Sequence, residues 1–364
     1  MTRIAIDLRM YRHSGIGRYL RNLLPSLLPL LQASHIRVIA PPALIADAKW
    51  LHDQRLEVFA TDAPVYSIAE QLLPLKGAFQ DTQLLWVPHY NVPILYRGPL
   101  VVTIHDIAPL ALPETLGNPV KRAYARLLTE RATRHATAIL SVSDFTAREL
   151  ETTLGVDPSK ITVTYQGLEE AWPSTAQPHC EPDGAPYLLY VGNVKPNKNL
   201  GRLLEAFAKI QHQIPHRLVL AGRMRGFGTS DDAVLQRAAS LGDRVRFTDE
   251  IPDSELIALY AGATALVMPS LYEGFGLPLL EAMHFGCPVL ASNAASLPEV
   301  AADAGLYFDP RDPDSIADCL CRVLDAPLMN SLRSAGRARA AQFSYAKCAV
   351  QTAAVLNSLL AASR

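Results

Sequence analysis

The chain has 364 residues, of which 49% are hydrophobic and 19% are charged, and both values are typical of a globular protein of about two domains. Because 34 basic residues stand against 35 acidic ones, the net charge of −1 argues against a nucleic-acid-binding protein. Five cysteines without a CxxC pair argue against a zinc site or a disulfide framework and favour a reducing compartment.

Short apolar runs alternate with segments of helical periodicity along the whole chain. The strands predicted in the first half are residues 4–8, 36–40, 84–87, 100–104 and 138–142. Those predicted in the second half are residues 187–191, 217–221, 245–247, 265–269, 288–291 and 306–308. Helical segments include residues 18–31, 120–136, 200–214 and 253–261. Because strands that alternate with helices build βαβ units, the pattern predicts an α/β fold with parallel sheets.

A proline-rich, polar segment without periodicity separates two halves that open in the same way, with a strand, a turn and a helix. Its composition is typical of an interdomain linker. We expect an N-terminal domain of residues 1–168, a linker of residues 169–185, a C-terminal domain of residues 186–342 and a final helix within residues 343–364. The two domains are predicted to be Rossmann-like, doubly wound units facing a cleft, with the ligand at the carboxyl ends of both sheets.

Polar or flexible residues follow two predicted strands of the first half. Gly15 and Gly17 come after the first strand, and such a Gly-x-Gly either cradles a phosphate or makes a tight turn. His89 and Asn91 follow the strand of residues 84–87. They either bind an acceptor or only line the cleft.

His105 and Asp106 follow directly on the strand of residues 100–104, so His105 is predicted to face the mouth of the cleft. A single histidine at a strand end is more often structural than functional. Asp106 either orients His105 or caps the following turn.

The predicted helix of residues 120–136 is rich in positive charge. Its basic residues are Lys121, Arg122, Arg126, Arg131 and Arg134, and its larger apolar residues include Tyr124, Leu127 and Leu128. A solvated helix face explains the pattern. An amphipathic contact with anionic lipid headgroups explains it as well.

Residues 192–200, Gly-Asn-Val-Lys-Pro-Asn-Lys-Asn-Leu, connect a predicted strand to a predicted helix. Lys198 lies at the entry to that helix, where the helix dipole favours anions. Lys195 is either a second cation for the same ligand or a solvated side chain.

The most informative run is residues 269–283, Pro-Ser-Leu-Tyr-Glu-Gly-Phe-Gly-Leu-Pro-Leu-Leu-Glu-Ala-Met. After a strand and a glycine-rich loop, Pro278 is predicted at the first helical position and Glu281 in the first turn. Small residues let backbone N–H groups approach an anion at a helix N-terminus, and carboxylates such as Glu273 bind sugar hydroxyls. The run predicts a phosphate or sugar pocket, with a plain strand–turn–helix as the alternative.

Asp312-Pro313-Asp314 has the form of a metal-binding DxD. An apolar helical period follows it, so Asp314 is predicted to cap a helix. No bound magnesium or manganese ion is therefore expected.

The run from Glu273 to Glu281 resembles the Glu-x7-Glu motif of the retaining glycosyltransferases of family 4, which have the GT-B fold. Further matches are Glu250, Ile251, Pro252, Asp253, Leu256, Tyr260, Ala263, Pro269, Ser270, Gly286, Cys287, Pro288, Val289, Leu290, Ala291, Ser292, Pro298, Glu299 and Val300. The resemblance covers nearly the whole chain and is strongest in residues 187–310. It implies that the final helix crosses back to the first domain.

The resemblance implies roles for the residues of this run. Glu273 would lie beside the transferred sugar, and Glu281 would bind the ribose of the nucleotide. The donor-binding backbone would come from Gly274, Phe275, Gly276 and Leu277. The loop with Gly15 and Gly17 would lie at the cleft, near the donor diphosphate and the acceptor.

Lys198 matches a family lysine that neutralises the leaving diphosphate. Asn193 stands where the family usually has an arginine. Either Lys195 supplies that charge, or the phosphates are held less electrostatically. His105 matches a family histidine beside the transferred sugar, and we count Asp106 with it in the catalytic set.

The resemblance implies an enzyme that transfers a hexose from a nucleotide diphosphate sugar to a hydroxyl, with retention and without a cofactor. The loop of residues 192–199 and the pair His105–Asp106 resemble mannosyl-transferring members that build bacterial surface polysaccharide, such as lipopolysaccharide. We therefore expect GDP-mannose as donor and a glycan or lipid-linked acceptor. The first residues predict a strand and not a signal peptide, and no apolar stretch reaches about 18 residues. The expected location is the cytoplasm, with peripheral contact at the inner membrane surface left open.

Two other classes of protein fit parts of the pattern. A nucleotide-sugar epimerase of the same architecture would convert its substrate without an acceptor. A non-catalytic nucleotide-sugar-binding protein would need Lys198 and Glu281 but not Glu273 or His105, so the presence of all four favours an enzyme. A phosphorylase would need a Schiff-base lysine for pyridoxal phosphate, and no motif supplies one.

Overall fold

A computed structural model describes residues 2–13, 15–45, 53–65, 67–73, 77–112, 118–168, 172–223 and 232–362. The chain divides into two compact units. Unit 1 comprises Met1–Leu110, Asn118–Glu170 and Ser344–Arg364, and unit 2 comprises Ala111–Gly117 and Ala171–Phe343. The division falls inside the predicted linker, of which residues 169–171 lie outside the described residues.

Unit 1 is built on a parallel sheet of seven strands in the order β3-β2-β1-β4-β5-β6-β7, as found among its described residues. The strands are β1 (Arg3–Asp7), β2 (His35–Ala40), β3 (Leu56–Ala60), β4 (Leu84–Val87), β5 (Leu100–Ile104), β6 (Ala138–Ser141) and β7 (Ile161–Val163). The helices before residue 172 are α1 (Gly15–Leu27), α2 (Pro42–Ile45), α3 (Ile68–Gln71), α4 (Ala108–Ala111), α5 (Pro119–His135) and α6 (Asp144–Leu154).

Unit 2 repeats this construction with six strands, in the order β10-β9-β8-β11-β12-β13 over its described residues. The strands are β8 (Tyr187–Val191), β9 (Arg217–Ala221), β10 (Val245–Asp249), β11 (Ala265–Met268), β12 (Val289–Ser292) and β13 (Gly305–Phe308). The helices are α7 (Leu200–Ile210), α8 (Asp232–Ser240), α9 (Asp253–Gly262), α10 (Leu277–His284), α11 (Leu297–Ala301), α12 (Pro313–Cys321) and α13 (Ala326–Ala340).

Both sheets are parallel, and this confirms the predicted α/β class with two doubly wound units. In each sheet the strand order reverses beside the first strand of the unit. The reversal lies between β1 and β4 in unit 1 and between β8 and β11 in unit 2. In open α/β sheets, ligands bind outside the carboxyl ends of the strands at such a switch point.

Strands in the middle of both sheets are buried because helices cover their faces. All residues of β4, β5 and β11 are buried. In α7 the buried residues recur with helical spacing, at Leu200, Leu203, Leu204, Phe207 and Ile210. The one-sided pattern packs α7 onto the sheet and places its N-terminus at the carboxyl edge.

The last helix, α14 (Tyr345–Ala362), belongs to unit 1, where it packs against α1. Asn357 fixes its position: its Nδ2 donates to Leu30 O at 2.9 Å, and its Oδ1 accepts from Gln32 N at 2.9 Å. The backbone of Ser344 passes so close to Gly167 that a Cβ there would lie 2.6 Å from Ser344 Cα. Only glycine fits at this point of the return.

Residues 172–185 of the predicted linker group with unit 2. The carboxylate of Glu181, 1% exposed, forms ion pairs with Arg217 at 3.3 Å and with Arg246 at 2.7 Å. It also accepts a hydrogen bond from His179 Nε2 at 3.1 Å. These bonds attach the segment to β9 and β10.

Two strands, β3 and β7, were not predicted. Both lie at the edges of the unit 1 sheet, and none of their residues is buried. Since one side of an edge strand faces solvent, Glu57 and Thr162 interrupt the apolar runs. The strand predicted at residues 288–291 begins one residue later, at Val289.

Candidate active site

Three loops of unit 2 are tied together at the carboxyl edge of its sheet. Asn199 stands before α7 in a left-handed conformation with a φ of 57°. Its Nδ2 donates to Pro269 O at 3.0 Å and to Pro310 O at 2.7 Å, which joins the loops after β8, β11 and β13. Asn197 Nδ2 adds a bond of 3.2 Å to Tyr272 O. The two motif-bearing loops of residues 192–199 and 269–276 are therefore held side by side.

Lys198 and Glu273, which lie 75 residues apart in the chain, form an ion pair at this edge. Lys198 Nζ lies 2.6 Å from Glu273 Oε1, and the two side chains are 19% and 13% exposed. Ser296 Oγ donates to the backbone oxygen of Glu273 at 2.9 Å. A cation and an anion of fixed position, partly open to solvent, suit a ligand that has both a negatively charged group and hydroxyls.

The glycine-rich loop between β11 and α10 is shaped by close packing. Gly276 has a φ of 99°, and a Cβ at this residue would lie 2.7 Å from Leu297 Cδ2. The ring of Phe275 is buried and packs edge-on against Phe343, with 5.8 Å between the centroids. The loop therefore delivers its backbone to the N-terminus of α10, where helix amides favour an anion.

Glu281 is buried in α10, and Tyr260 OH donates to its Oε2 at 2.8 Å. The prediction that Glu281 lies in the first turn is wrong. Since α10 begins at Leu277, Glu281 is its fifth residue and lies in the second turn. Tyr260 itself stacks with Phe285, with 6.3 Å between the centroids. A carboxylate oriented in this way keeps capacity for further hydroxyl donors.

Asn193 and Lys195 lie elsewhere on the loop after β8. Asn193 Oδ1 accepts the backbone N–H of Arg223 at 3.2 Å, which links the ends of β8 and β9. The guanidinium of Arg223 pairs with Glu250 at 2.5 Å. Lys195 is exposed and stands at the start of the short turn Pro196–Lys198. Arg223 was not predicted from the sequence, because it follows β9 outside any recognised motif.

In unit 1, His105 lies at the end of β5, and its Nε2 donates to Pro88 O at 3.1 Å. Its ring stands edge-on to Tyr19, with 4.9 Å between the centroids. Burial lowers the pKa of His105 to about 4, although the bond to Pro88 opposes the shift. The imidazole is therefore neutral near pH 7, with Nδ1 as its acceptor.

Asp106 Oδ1 accepts the backbone N–H of Ala108 at 2.9 Å. This is the capping arrangement that the sequence left open for Asp106. It holds the turn that leads from β5 into α4.

His89 and Asn91 lie together after β4. Asn91 N donates to His89 Nδ1 at 3.0 Å, so Nε2 has the proton of the neutral ring. Burial is the main cause that lowers the pKa of His89 to about 3, and repulsion from Arg9 and from the protonated forms of His105 and His13 adds to it. Asn91 Nδ2 donates to both oxygens of Glu70, at 2.5 and 2.6 Å.

Asp7, Arg9 and Glu70, which are buried beside Asn91, were not predicted from the sequence either. Asp7 ends β1, but Glu70 lies 61 residues from Arg9 in a helix of four residues. No local pattern connects them.

Gly15 and Gly17 begin α1. A Cβ at Gly17 would overlap the carbonyl group of Tyr11, whereas a Cβ at Gly15 would have nothing within 4 Å. The close approach at Gly17 agrees with the tight-turn alternative.

Among the described residues, no three histidine, cysteine or acidic side chains come together in a way that could hold a metal ion. The prediction that Asp314 caps a helix is wrong by two residues. Because α12 begins at Pro313, Asp312 is the capping residue, and its Oδ1 accepts Asp314 N at 2.9 Å. Asp314 instead pairs with Lys209.

No helix in the described part of the chain is long and apolar enough to cross a membrane.

Comparisons with known proteins match both halves of the chain. A family model described as "Glycosyl transferases group 1" matches residues 174–340, and one described as "Glycosyltransferase Family 4" matches residues 13–172. O-antigen chain mannosyltransferase B of Escherichia coli is 31% identical, over 94% of this chain and 95% of that protein. O-antigen chain mannosyltransferase RfbU of Salmonella typhimurium is 28% identical, over 68% and 67%.

Solved structures share the fold. Sucrose-phosphate synthase from Thermosynechococcus elongatus superposes with a TM-score of 0.77 at 21% identity and covers 100% of both chains. Anabaena HepE in complex with UDP and glucose superposes with a TM-score of 0.74 at 20% identity, over 98% of this chain and 100% of that one.

Proposed function

This chain belongs to the group 1 glycosyl transferases, with an N-terminal half of glycosyltransferase family 4, and we propose that it transfers mannose from GDP-mannose to a hydroxyl of a glycan or lipid-linked acceptor. The product would be a bacterial surface polysaccharide, such as the O-antigen chain named in its relatives. The observation that supports this best is the ion pair of Lys198 and Glu273 beside the N-terminus of α10.

The donor fits unit 2 from its phosphates outward. Lys198 and the backbone of the loop from Gly274 to Leu277 would hold the diphosphate. Glu281 would accept hydrogen bonds from the ribose hydroxyls. The bound UDP of HepE supports a nucleotide diphosphate in this fold. The N-terminus of α10 contributes about half a positive charge to the same place.

The proposed reaction needs charge stabilisation more than covalent chemistry. As the bond from the sugar to the diphosphate breaks, negative charge grows on the phosphate and positive charge on the sugar. Lys198 would stabilise the first and Glu273 the second. Because the two groups are already paired at 2.6 Å, both charges are in place before the substrate arrives. The proposal includes no metal ion and no cofactor.

In unit 1, the resemblance assigns His105 to the transferred sugar. As a neutral imidazole it would act as a hydrogen-bonding group, because its pKa of about 4 keeps it uncharged near pH 7.

We also propose peripheral contact with the anionic cytoplasmic face of the inner membrane through α5. Val120 is 75% exposed and Leu127 is 56% exposed on this helix, and Lys121 and Arg126 are exposed beside them. Apolar side chains ringed by cations suit a lipid surface. Lys121→Glu with Arg126→Glu should abolish sedimentation with phosphatidylglycerol vesicles, while wild-type protein should not sediment with phosphatidylcholine vesicles. Equal sedimentation of variant and wild type would contradict this contact.

The donor is tested by a thermal-shift screen with GDP, UDP, ADP and their sugars. A nucleotide present at 100 times its dissociation constant stabilises the folded protein by about 2.7 kcal/mol. We expect that shift with GDP and GDP-mannose. Stabilisation by UDP or ADP alone would contradict the proposed donor.

Product analysis then separates the alternatives. A glycosyltransferase forms a new glycoside only when acceptor is present. An epimerase converts the nucleotide sugar without acceptor, and a binding protein releases no product at all.

A further inference from the structure

A buried polar network lies at the carboxyl edge of β1 and β4 in unit 1. Arg9 binds Asp7 through Nη2 at 2.6 Å and Glu70 Oε1 through the same nitrogen at 2.9 Å. The side chains of Arg9, Asp7 and Glu70 are 3%, 6% and 0% exposed. Asn91 binds the same oxygen of Glu70 at 2.5 Å. One cation thus lies between two anions, out of contact with water.

Two polar atoms of this network lack a partner. Arg9 Nη1 and Asn91 Oδ1 are buried without a hydrogen bond to any described residue. Both residues line one small cavity with Met10, Val87 and His89. About 10 Å³ of it is open to the centre of a water-sized group, which is room for about one such group. Buried donors and acceptors are seldom left unpaired, so the cavity is shaped for an occupant.

The chemistry of the two atoms selects that occupant. Arg9 and Asn91 bind the same oxygen of Glu70 and line the same cavity, and between them they have one unpaired donor and one unpaired acceptor. A carboxylate or phosphate would meet Asn91 Oδ1 as a second acceptor, and Asp7 and Glu70 already neutralise Arg9. A cation would be repelled by Arg9. A neutral hydroxyl can accept a hydrogen bond from Arg9 Nη1 and donate one to Asn91 Oδ1.

We propose that this cavity is a subsite for one hydroxyl group of the acceptor sugar, with Arg9 and Asn91 as its specificity-determining residues. The inference rests on the proposed glycosyl transfer. Arg9 and Asn91 follow β1 and β4, at the switch point where an open α/β sheet binds its ligand. Since the nucleotide is assigned to unit 2, the ligand at this edge of unit 1 is the acceptor.

The test measures acceptor kcat/KM with GDP-mannose in excess. Methyl glycosides of mannose, glucose, galactose, rhamnose and N-acetylglucosamine are compared first, and the best of them is then replaced by its monodeoxy derivatives. One derivative should lose about ten- to a hundred-fold, because it leaves a charged donor and an acceptor unpaired. Arg9→Lys should lower kcat/KM of the parent glycoside by the same factor. On that deoxy derivative the variant should have the same kcat/KM as the wild type, and its KM for GDP-mannose should be unchanged.

Arg37→Lys is the matched control, since Arg37 is also buried and pairs with Glu57 but does not line the cavity. It should keep the wild-type pattern. If Arg9→Lys lowers kcat/KM on the deoxy derivative as strongly as on the parent glycoside, the two losses multiply. This result would overturn the subsite and mean that the cavity holds a fixed water. If Arg9→Lys does not fold, the wild-type deoxy series still decides, because equal kcat/KM for all derivatives overturns the subsite while transfer itself stands. No product from any glycoside would overturn the proposed function, and the subsite with it.

Discussion

The two sheets have the same construction, yet their carboxyl edges carry different chemistry. In unit 2 the switch point holds the ion pair of Lys198 and Glu273, which is partly open to solvent. In unit 1 it holds His89 and His105, whose pKa values burial lowers to about 3 and about 4, beside Arg9, whose charge is neutralised by Asp7 and Glu70. One edge offers accessible charge and the other neutral hydrogen-bonding groups.

The two edges share one topology and differ in their loop side chains, so under the proposed function the side chains decide which ligand each edge binds. Accessible charge suits a leaving diphosphate, and neutral donors and acceptors suit hydroxyls. The variants below test whether the two edges divide the work in this way, beginning with the largest expected effect.

Glu273→Gln should lower kcat by about a hundred-fold or more, with a smaller change in donor affinity. The amide keeps the size of the side chain but cannot stabilise positive charge on the sugar. Steady-state kinetics with GDP-mannose measure both constants. Glu205→Gln is the control and should leave kcat unchanged, because Glu205 is a partly exposed, ion-paired glutamate of α7. Near-normal turnover of Glu273→Gln would mean that this carboxylate is structural.

Lys198→Ala should weaken binding of GDP by about ten- to a hundred-fold, because it removes a charge-assisted hydrogen bond. Calorimetry on the ligand-free protein measures the affinity directly. Lys209→Ala removes an equally charged side chain that pairs with Asp314 and should have no effect. Unchanged affinity in Lys198→Ala would remove this lysine from the site.

Glu281→Gln should mainly raise the KM for the donor, by about tenfold, because the ribose changes little during transfer. Tyr260→Phe removes the hydroxyl that orients Glu281 and should raise the same KM by a smaller factor. A fall in kcat without a change in KM would show that Glu281 acts on the reacting sugar and not on the ribose.

The free energy of unfolding should fall as the pH is lowered from about 6.5 toward 4. The pKa values of His89 and His105 in the folded protein, about 3 and about 4, lie below the usual 6.5 of an unfolded chain. The unfolded state therefore binds more protons in this window, so their stabilisation is complete above pH 6.5 and is lost on acidification. His89→Asn, which keeps an acceptor for Asn91 N, should make the slope of melting temperature against pH shallower. An equal slope in the variant and the wild type would mean that groups other than His89 cause the pH dependence.

The smallest expected effect is that of chelation. Activity should survive exhaustive treatment with EDTA, because in the proposed site Lys198 and the N-terminus of α10 would stabilise the diphosphate without a divalent cation. Loss of turnover in chelator, restored by manganese, would overturn this prediction. Asp312 and Asp314 would then again be candidate metal ligands.

Much of unit 2 was readable from the sequence because its signals are local. The strands of residues 187–191 and 217–221 have the predicted bounds, and the glycine-rich loop lies between a strand and a helix as expected. Lys198 was predicted at the entry to a helix, and Glu273 was predicted after a strand, at the start of the glycine-rich loop. Their direct ion pair was not predicted, because it depends on β8 lying beside β11.

The sequence by itself determined the α/β class, the buried strands and the motif-bearing loops, since hydrophobic period and turn residues act over a few positions. Only the tertiary structure decided which loops meet. The network of Asp7, Arg9, Glu70 and Asn91 joins residues up to 84 positions apart. It forms because the strand order places β4 beside β1, and such long-range pairing leaves no periodic trace along the chain.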